Sequence, residues 1–239
     1  MKKKFSFFVT IAVNLLCTYF LVSGSTDDVY TGIGFPFVMY EAIFCTLAFV
    51  VLSLLLRNSG NSVFSCSNIS RLLRVGSRRK AALFELFKIL IIVFSVEFLN
   101  SICVYAVSAY QDKKIILSKL MILFLINLLV KTSLLFSQTV LEINHLYKFG
   151  FVFICGMFIF LLMLGSSLHT ITSENPTLLI RPFLNILNKI NIVNYISIKR
   201  ANTLCSNLCV PISLIGLTVL IKSVLFIFVS KKTDVLARE

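Results

Sequence analysis

RLLRVGSRRKAALFELFKIL, residues 71–90, carries five basic residues in its first ten positions and then continues, without a Gly or Pro, into a run of Leu, Ile, Val and Phe of membrane length. The solvent on each side positions such a helix. Lipid takes the apolar part, while the charge stays in water or among headgroups. The rest of the chain has the same character. Hydrophobic residues make up 58% of 239 and charged residues only 14%, more apolar surface than a water-soluble domain of this length can hide. Several runs exceed the roughly 18 apolar residues that cross a hydrocarbon core of about 30 Å as a helix. They are apolar on every side, whereas the strands of a membrane barrel alternate. The expected fold is all-α, a polytopic membrane protein.

Six spans are expected, at about 5–22, 36–56, 87–108, 117–136, 150–168 and 207–229. The connections are short except 57–86 and 169–206, so 1–239 reads as a single transmembrane domain. Residues 1–26 also resemble a signal peptide, but their apolar part of about 18 residues is longer than the usual 7–15. A retained first span is the expectation. With the N-terminus inside, the inner segments hold Lys2, Lys3, Lys4, Arg57, Arg71, Arg74, Arg78, Arg79, Lys80, Lys148, Lys231, Lys232 and Arg238. The outer ones hold Lys113, Lys114, Arg181, Lys189, Lys199 and Arg200. This inner excess puts both termini in the cytoplasm. The net charge of +13 therefore follows topology and implies membrane lipids, not nucleic acid, as its partner. Abundant Phe, Ile and Lys with no Trp is the composition of a low-GC bacterium.

Across the start of the quoted stretch, Cys66, Ile69, Leu72 and Leu73 share one helical face, and Arg71 and Arg74 lie away from it. Ser67 or Asn68 is the expected N-cap and Gly76 the expected stop. Residues 66–75 thus read as a short amphipathic helix. Ser77 then caps the helix that leads into the third span. Arg78, Arg79 and Lys80 fall in its first turn, where the macrodipole disfavours cations. Something outside the helix must favour them, either the anionic inner leaflet or a cytoplasmic protein.

The segment ISRLLRVGSRRKAALFELFKIL, with the span count, the orientation and the two long connections, resembles the permease subunits of type-two ABC exporters. It resembles in particular the small six-span kind of bacteriocin-immunity and peptide-export transporters. The resemblance covers the full length through diffuse motifs. It implies a cytoplasmic ATPase docking on residues 66–75, with Ile69, Arg71, Leu72, Leu73, Arg74, Arg78 and Arg79 carrying the coupling. It also implies a second permease copy or a sister permease, and an outer loop, 169–206, that partly re-enters the membrane as an external gate. With no GxxxxGK[ST], this chain binds no cofactor itself, and ATP and Mg belong to the partner. Only MKKK precedes the first span, so the N-terminal interfacial helix of larger relatives has no room here. Within the outer loop, Leu184, Ile186, Leu187, Ile190, Ile192 and Val193 form an amphipathic run too interrupted to span. An interfacial or re-entrant helix is expected there.

Ionisable residues in lipid each cost about 2.5–3.5 kcal/mol at a helix centre, so they face protein or water or reach an interface. Lys222 is near enough to the inner end to snorkel, and Glu41 lies about a turn below the outer surface. Glu97 and Lys131 lie at matching depths in the third and fourth spans and are expected to pair, either fixing the packing or lining a path. Asn14 and Asn100 are expected to hydrogen-bond between helices. Cys205 and Cys209, at i,i+4, read as packing rather than a metal site. An ion- or proton-coupled transporter or channel is the alternative function. An intramembrane hydrolase fits less well: HExxH and CxxC are absent, and Gly165–Ser166–Ser167 with His169 lacks an orienting acid.

Overall fold

The computed structural model describes residues 2–24, 33–35, 38–57, 78–113, 116–143, 149–174, 179–205 and 207–232. Among these the chain forms α1 (Lys2–Ser23), α2 (Met39–Leu55), α3 (Arg78–Tyr110), α4 (Leu117–Leu141) and α5 (Gly150–Glu174). They are followed by α6 (Arg181–Ile190), a 3₁₀ turn (Ile192–Ile196), α7 (Ile198–Leu204) and α8 (Cys209–Lys232). No strand occurs among the described residues. α1, α4, α5 and α8 are long and apolar enough to cross a membrane, and α2 is a shorter apolar helix of 17 residues. α3 has 33 residues, about 50 Å at 1.5 Å per residue. That exceeds the ~30 Å of a hydrocarbon core, so its first turns, with Arg79 and Lys80 exposed, extend beyond the apolar part. These helices fit a helical membrane protein.

Polar residues at helix ends shifted several boundaries relative to the hydropathy reading. α4 continues past 136 through Gln138 and Thr139, and α5 continues past 168 through Thr170, Thr172 and Ser173. Each of these hydroxyls bonds a carbonyl of its own helix, such as Thr172 Oγ1 to Leu168 O at 2.9 Å and Thr139 Oγ1 to Phe136 O at 2.8 Å. That makes them tolerable where side chains to solvent were expected. α3 stops at a Schellman-type turn. Lys113 N donates to Ser108 O at 3.0 Å, Asp112 N donates to Ala109 O at 3.2 Å, and Asp112 takes the left-handed φ of 52° that such a cap requires.

α4 is the centre of the bundle. It packs on α3, α5, α8 and the 3₁₀ turn, while α1 packs on α2 and α3, and α2 on α5. From Val130 to Phe136 every α4 side chain is buried. Phe49 of α2 stacks on Phe158 of α5 with ring centroids 4.4 Å apart, and both are fully buried. Phe94 of α3 meets Phe124 of α4 edge to face at 5.5 Å. α8 is the opposite case: Leu214, Leu217, Leu220, Val224 and Phe228 all point outward. Cys205 caps the end of α7 and Cys209 starts α8, so the two lie on no common helix.

The buried stack should dominate the packing energy. Phe158→Ala is expected to destabilise the protein by about 3–5 kcal/mol. Phe160→Ala, at a side chain that is 60% exposed, should cost far less. Unfolding of the two variants by SDS titration from mixed micelles checks the contrast.

Candidate functional site

The chain between α5 and α8 does not stay at the surface. α6 packs back along α5, and at its end Asn191 Nδ2 donates to Leu161 O at 2.6 Å. Leu161 lies about thirteen residues, or ~20 Å, from the Glu174 end of α5. Asn127 Nδ2, about ten residues into α4, reaches Ile196 O at 3.3 Å. The 3₁₀ turn therefore sits at mid-height of α4 and α5, and α7 leads the chain back out.

Backbone at that depth needs partners from the protein, and asparagines supply them. Asn191 caps the 3₁₀ turn by accepting from Val193 N at 3.1 Å. Asn194 Nδ2 donates to Asn188 O at 2.9 Å and to Asn188 Oδ1 at 2.5 Å. Tyr195 Oη donates to Lys189 O at 2.7 Å. Ser197 caps α7.

Arg200, 1% exposed, ties this segment to its neighbours. Its Nη2 donates to Ser166 Oγ at 2.7 Å, and its Nη1 donates to Leu162 O and Asn194 Oδ1, each at 3.3 Å. Its Nε donates to Gly34 O at 3.3 Å, in the α1–α2 connection. The guanidinium lies 4.6 Å from the Phe35 ring centroid, and Phe35 in turn stacks on His169 at 4.0 Å. Gly165 is required for the fit: a Cβ there would overlap Asn194 Oδ1. α6 turns one polar residue inward and leaves its charged ones, Arg181 and Lys189, exposed. Asn188 is buried, while Phe183, Ile186, Leu187 and Ile190 face out.

Beside the tip of this segment is a cavity of about 70 Å³, bounded by α1, α2, α3 and α4, with Ile196 of the 3₁₀ turn in its wall. Glu97 and Lys131 line it, and Lys131 Nζ donates to Glu97 Oε1 at 2.6 Å. Their side chains are 5% and 7% exposed. Asn100 Nδ2 donates to the same carboxylate oxygen at 3.4 Å, and Thr18 Oγ1 of α1 donates to Asn100 Oδ1 at 3.2 Å. Three helices thus meet in one polar chain inside an apolar bundle. Such a cluster can hold water or a small polar group, and it can bind the helices to one another.

Ile69, Arg71, Leu72, Leu73 and Arg74 lie outside the described residues, as does the whole of 66–75. Arg78 opens α3, and Arg79 is exposed in its first turn. Lys222, expected to snorkel, donates from its Nζ to Ser133 O at 3.1 Å and Ser133 Oγ at 2.8 Å, joining α8 to α4. Asn14 Nδ2 bonds Thr10 O of its own helix at 2.9 Å rather than a neighbour. Ser166 and His169 are both engaged with the Arg200 cluster.

Sequence reasoning missed Arg200, the asparagine set and the Ser53–Gln138–Glu142 chain. In that chain Ser53 Oγ donates to Gln138 Oε1 at 2.6 Å, and Gln138 Nε2 donates to Glu142 Oε1 at 2.9 Å. Three asparagines and one arginine among Ile, Val and Ala in 188–201 were the available signal. No protein-family model, curated protein or solved structure matches the chain.

Two outcomes follow from this geometry. Gly165→Val should lower the thermal unfolding midpoint in detergent by several degrees, at about 1–3 kcal/mol of overpacking. Gly156→Val, where nothing lies within 4 Å of the added Cβ, should leave it unchanged. Glu97→Gln leaves a buried ammonium without its counter-charge and should cost about 3–5 kcal/mol. Exchanging the pair, Glu97→Lys with Lys131→Glu, should restore most of that loss in the same assay.

Proposed function

We propose that the chain is a six-span permease subunit of an ATP-binding-cassette exporter, in the plasma membrane with both termini in the cytoplasm. The observation that carries the reading is the segment between α5 and α8, which descends to mid-height of α4 and α5 beside a polar cavity. A long outer segment of this form before the last span is what the resemblance implies for type-two exporters. Under this reading α2 and the apolar part of α3 are spans along with α1, α4, α5 and α8, and residues 179–204 re-enter the outer leaflet.

The mechanism then follows from the joint between α2 and α3. A separate cytoplasmic ATPase, which holds the ATP and Mg, grips the helix at 66–75 through Ile69, Leu72 and Leu73, with Arg71, Arg74, Arg78 and Arg79 around it. Closure of the ATPase tilts α2 and α3. α3 is one unbroken helix from Arg78 to Tyr110, so a push at its inner end is delivered at the depth of Glu97. Six spans are half a transporter, and a second copy or a sister permease completes the path. The substrate class is a hydrophobic or amphipathic peptide, such as a bacteriocin.

One observation favours a second reading, an ion- or proton-coupled transporter: a buried carboxylate–ammonium pair lining a cavity.

Affinity purification of the tagged protein from its native membrane in mild detergent, followed by mass spectrometry, separates the two. The permease reading predicts recovery of a cytoplasmic ATPase, lost in the Leu72→Asp, Leu73→Asp double variant while the protein still inserts. Recovery of the chain alone at every detergent strength would overturn it.

A further inference from the structure

The cavity beside the 3₁₀ turn has more hydrogen-bonding capacity than the protein uses. Lys131 Nζ carries three protons and, among the described residues, gives one, to Glu97 Oε1. Asn100 Nδ2 uses one of its two protons on that same oxygen. Glu97 Oε2 therefore accepts from no described residue, and two Lys131 protons and one Asn100 proton have no described acceptor. Asn127 gives its amide to Leu123 O and Ile196 O, leaving its Oδ1 as an unused acceptor. All four residues line one space of about 70 Å³. Glu97 and Lys131 are both more than nine-tenths buried.

Charge and size narrow what can occupy it. The pair is formally neutral, so a bound anion or cation would add an uncompensated charge in a low-dielectric site. A neutral group carrying both a donor and an acceptor satisfies the spare valences at no such cost. The space is open on one side and exceeds the ~10–15 Å³ that a single water needs, so it admits several waters or a planar group of about four heavy atoms. A primary carboxamide has that size, with an NH₂ for Glu97 Oε2 and a carbonyl for Lys131. Water has the same capacity and is the competing occupant.

We propose that this cavity is a binding site for an uncharged carboxamide, the end group of an Asn or Gln side chain or of an amidated peptide terminus. The peptide source rests on the permease reading; the site itself does not. On this account the charge pair recognises a neutral polar group of the substrate at mid-bundle and rejects a free carboxylate or ammonium. Cys45 forms part of the apolar wall, so Cys45→Leu would fill the space without touching the pair.

The test uses the full chain, labelled with [¹⁵N]lysine, in lipid nanodiscs. The Lys131 Nζ resonance is assigned by its loss in Lys131→Met. Acetamide, acetate and methylammonium are titrated in turn. The expected result is a saturable shift with acetamide and binding of acetate and methylammonium at least about tenfold weaker, by the charge argument. Cys45→Leu should abolish the acetamide shift and leave the Lys131 resonance in place. A flat acetamide titration overturns the proposal, and so does equal binding of acetate or methylammonium. An unchanged acetamide response in Cys45→Leu would place the binding elsewhere and also overturn it. Failure to capture an ATPase would remove the permease reading and leave this titration standing. A flat titration alongside a captured ATPase would remove the site alone.

Discussion

Buried backbone with no water to turn to must find its hydrogen bonds within the protein, and the arrangement around Arg200 follows from that constraint. The descending chain from Asn191 to Arg200 breaks helical pairing at mid-height of the bundle. It can do so because Asn127, Asn191 and Arg200 reach backbone carbonyls of the returning segment, of α5 and of the α1–α2 connection. Remove those donors and the carbonyls of Leu161, Leu162 and Ile196 lose the side-chain bonds that hold the segment in place. Asparagine suits the task, since it offers two donors and an acceptor on a short, stiff stem. Arginine suits the junction, since its fork serves four acceptors at once while its face lies on Phe35.

The position of that segment determines what the rest of the bundle encloses. Ile196 is in the wall of the cavity, and Asn127, which holds Ile196, also lines it. The same α4 helix carries Lys131 one turn further along, within the stretch from Val130 to Phe136 that is buried on all sides. α4 thus links the segment between α5 and α8, the charge pair and, through Ser133 with Lys222, the last helix. Over those two turns α4 is held on every side, so displacement there is passed along its axis. Movement of the segment between α5 and α8 and movement at the charge pair are therefore joined through α4, while α3 joins the pair to its Arg78 end.

The helices were legible in the sequence because lipid imposes one rule on them, a run of apolar side chains of sufficient length. Their ends were less so. Gln138, Thr139, Thr170 and Thr172 look like boundary residues in a hydropathy reading, yet each satisfies its polar atoms within its own or an adjacent helix. Matching depth was enough to single out Glu97 with Lys131, as both lie in regular helices whose rise is fixed. Arg200 could not be read in the same way. It counted as one more cation of an outer loop, and three of its partners, Gly34, Leu162 and Ser166, are distant in sequence. α6 misleads for a related reason. Its amphipathic pattern is plain, but a pattern alone does not say which residue turns inward, and here Asn188 does while Phe183 and Ile190 face out alongside Arg181 and Lys189.

The central claim is that the chain between α5 and α8 descends into the membrane, and depth is the quantity to measure. A nitroxide at Ile190, exposed at the lower end of α6, and one at Leu179, exposed just before its upper end, bracket the descent. Collision rates with oxygen and with a polar nickel chelate in reconstituted bilayers report depth directly. The account predicts that the Ile190 label lies ~15 Å deeper than the Leu179 label, as one ten-residue helix requires, with high oxygen and low nickel accessibility. Equal accessibility to the nickel chelate at both positions would mean that the segment lies on the surface, and would contradict it.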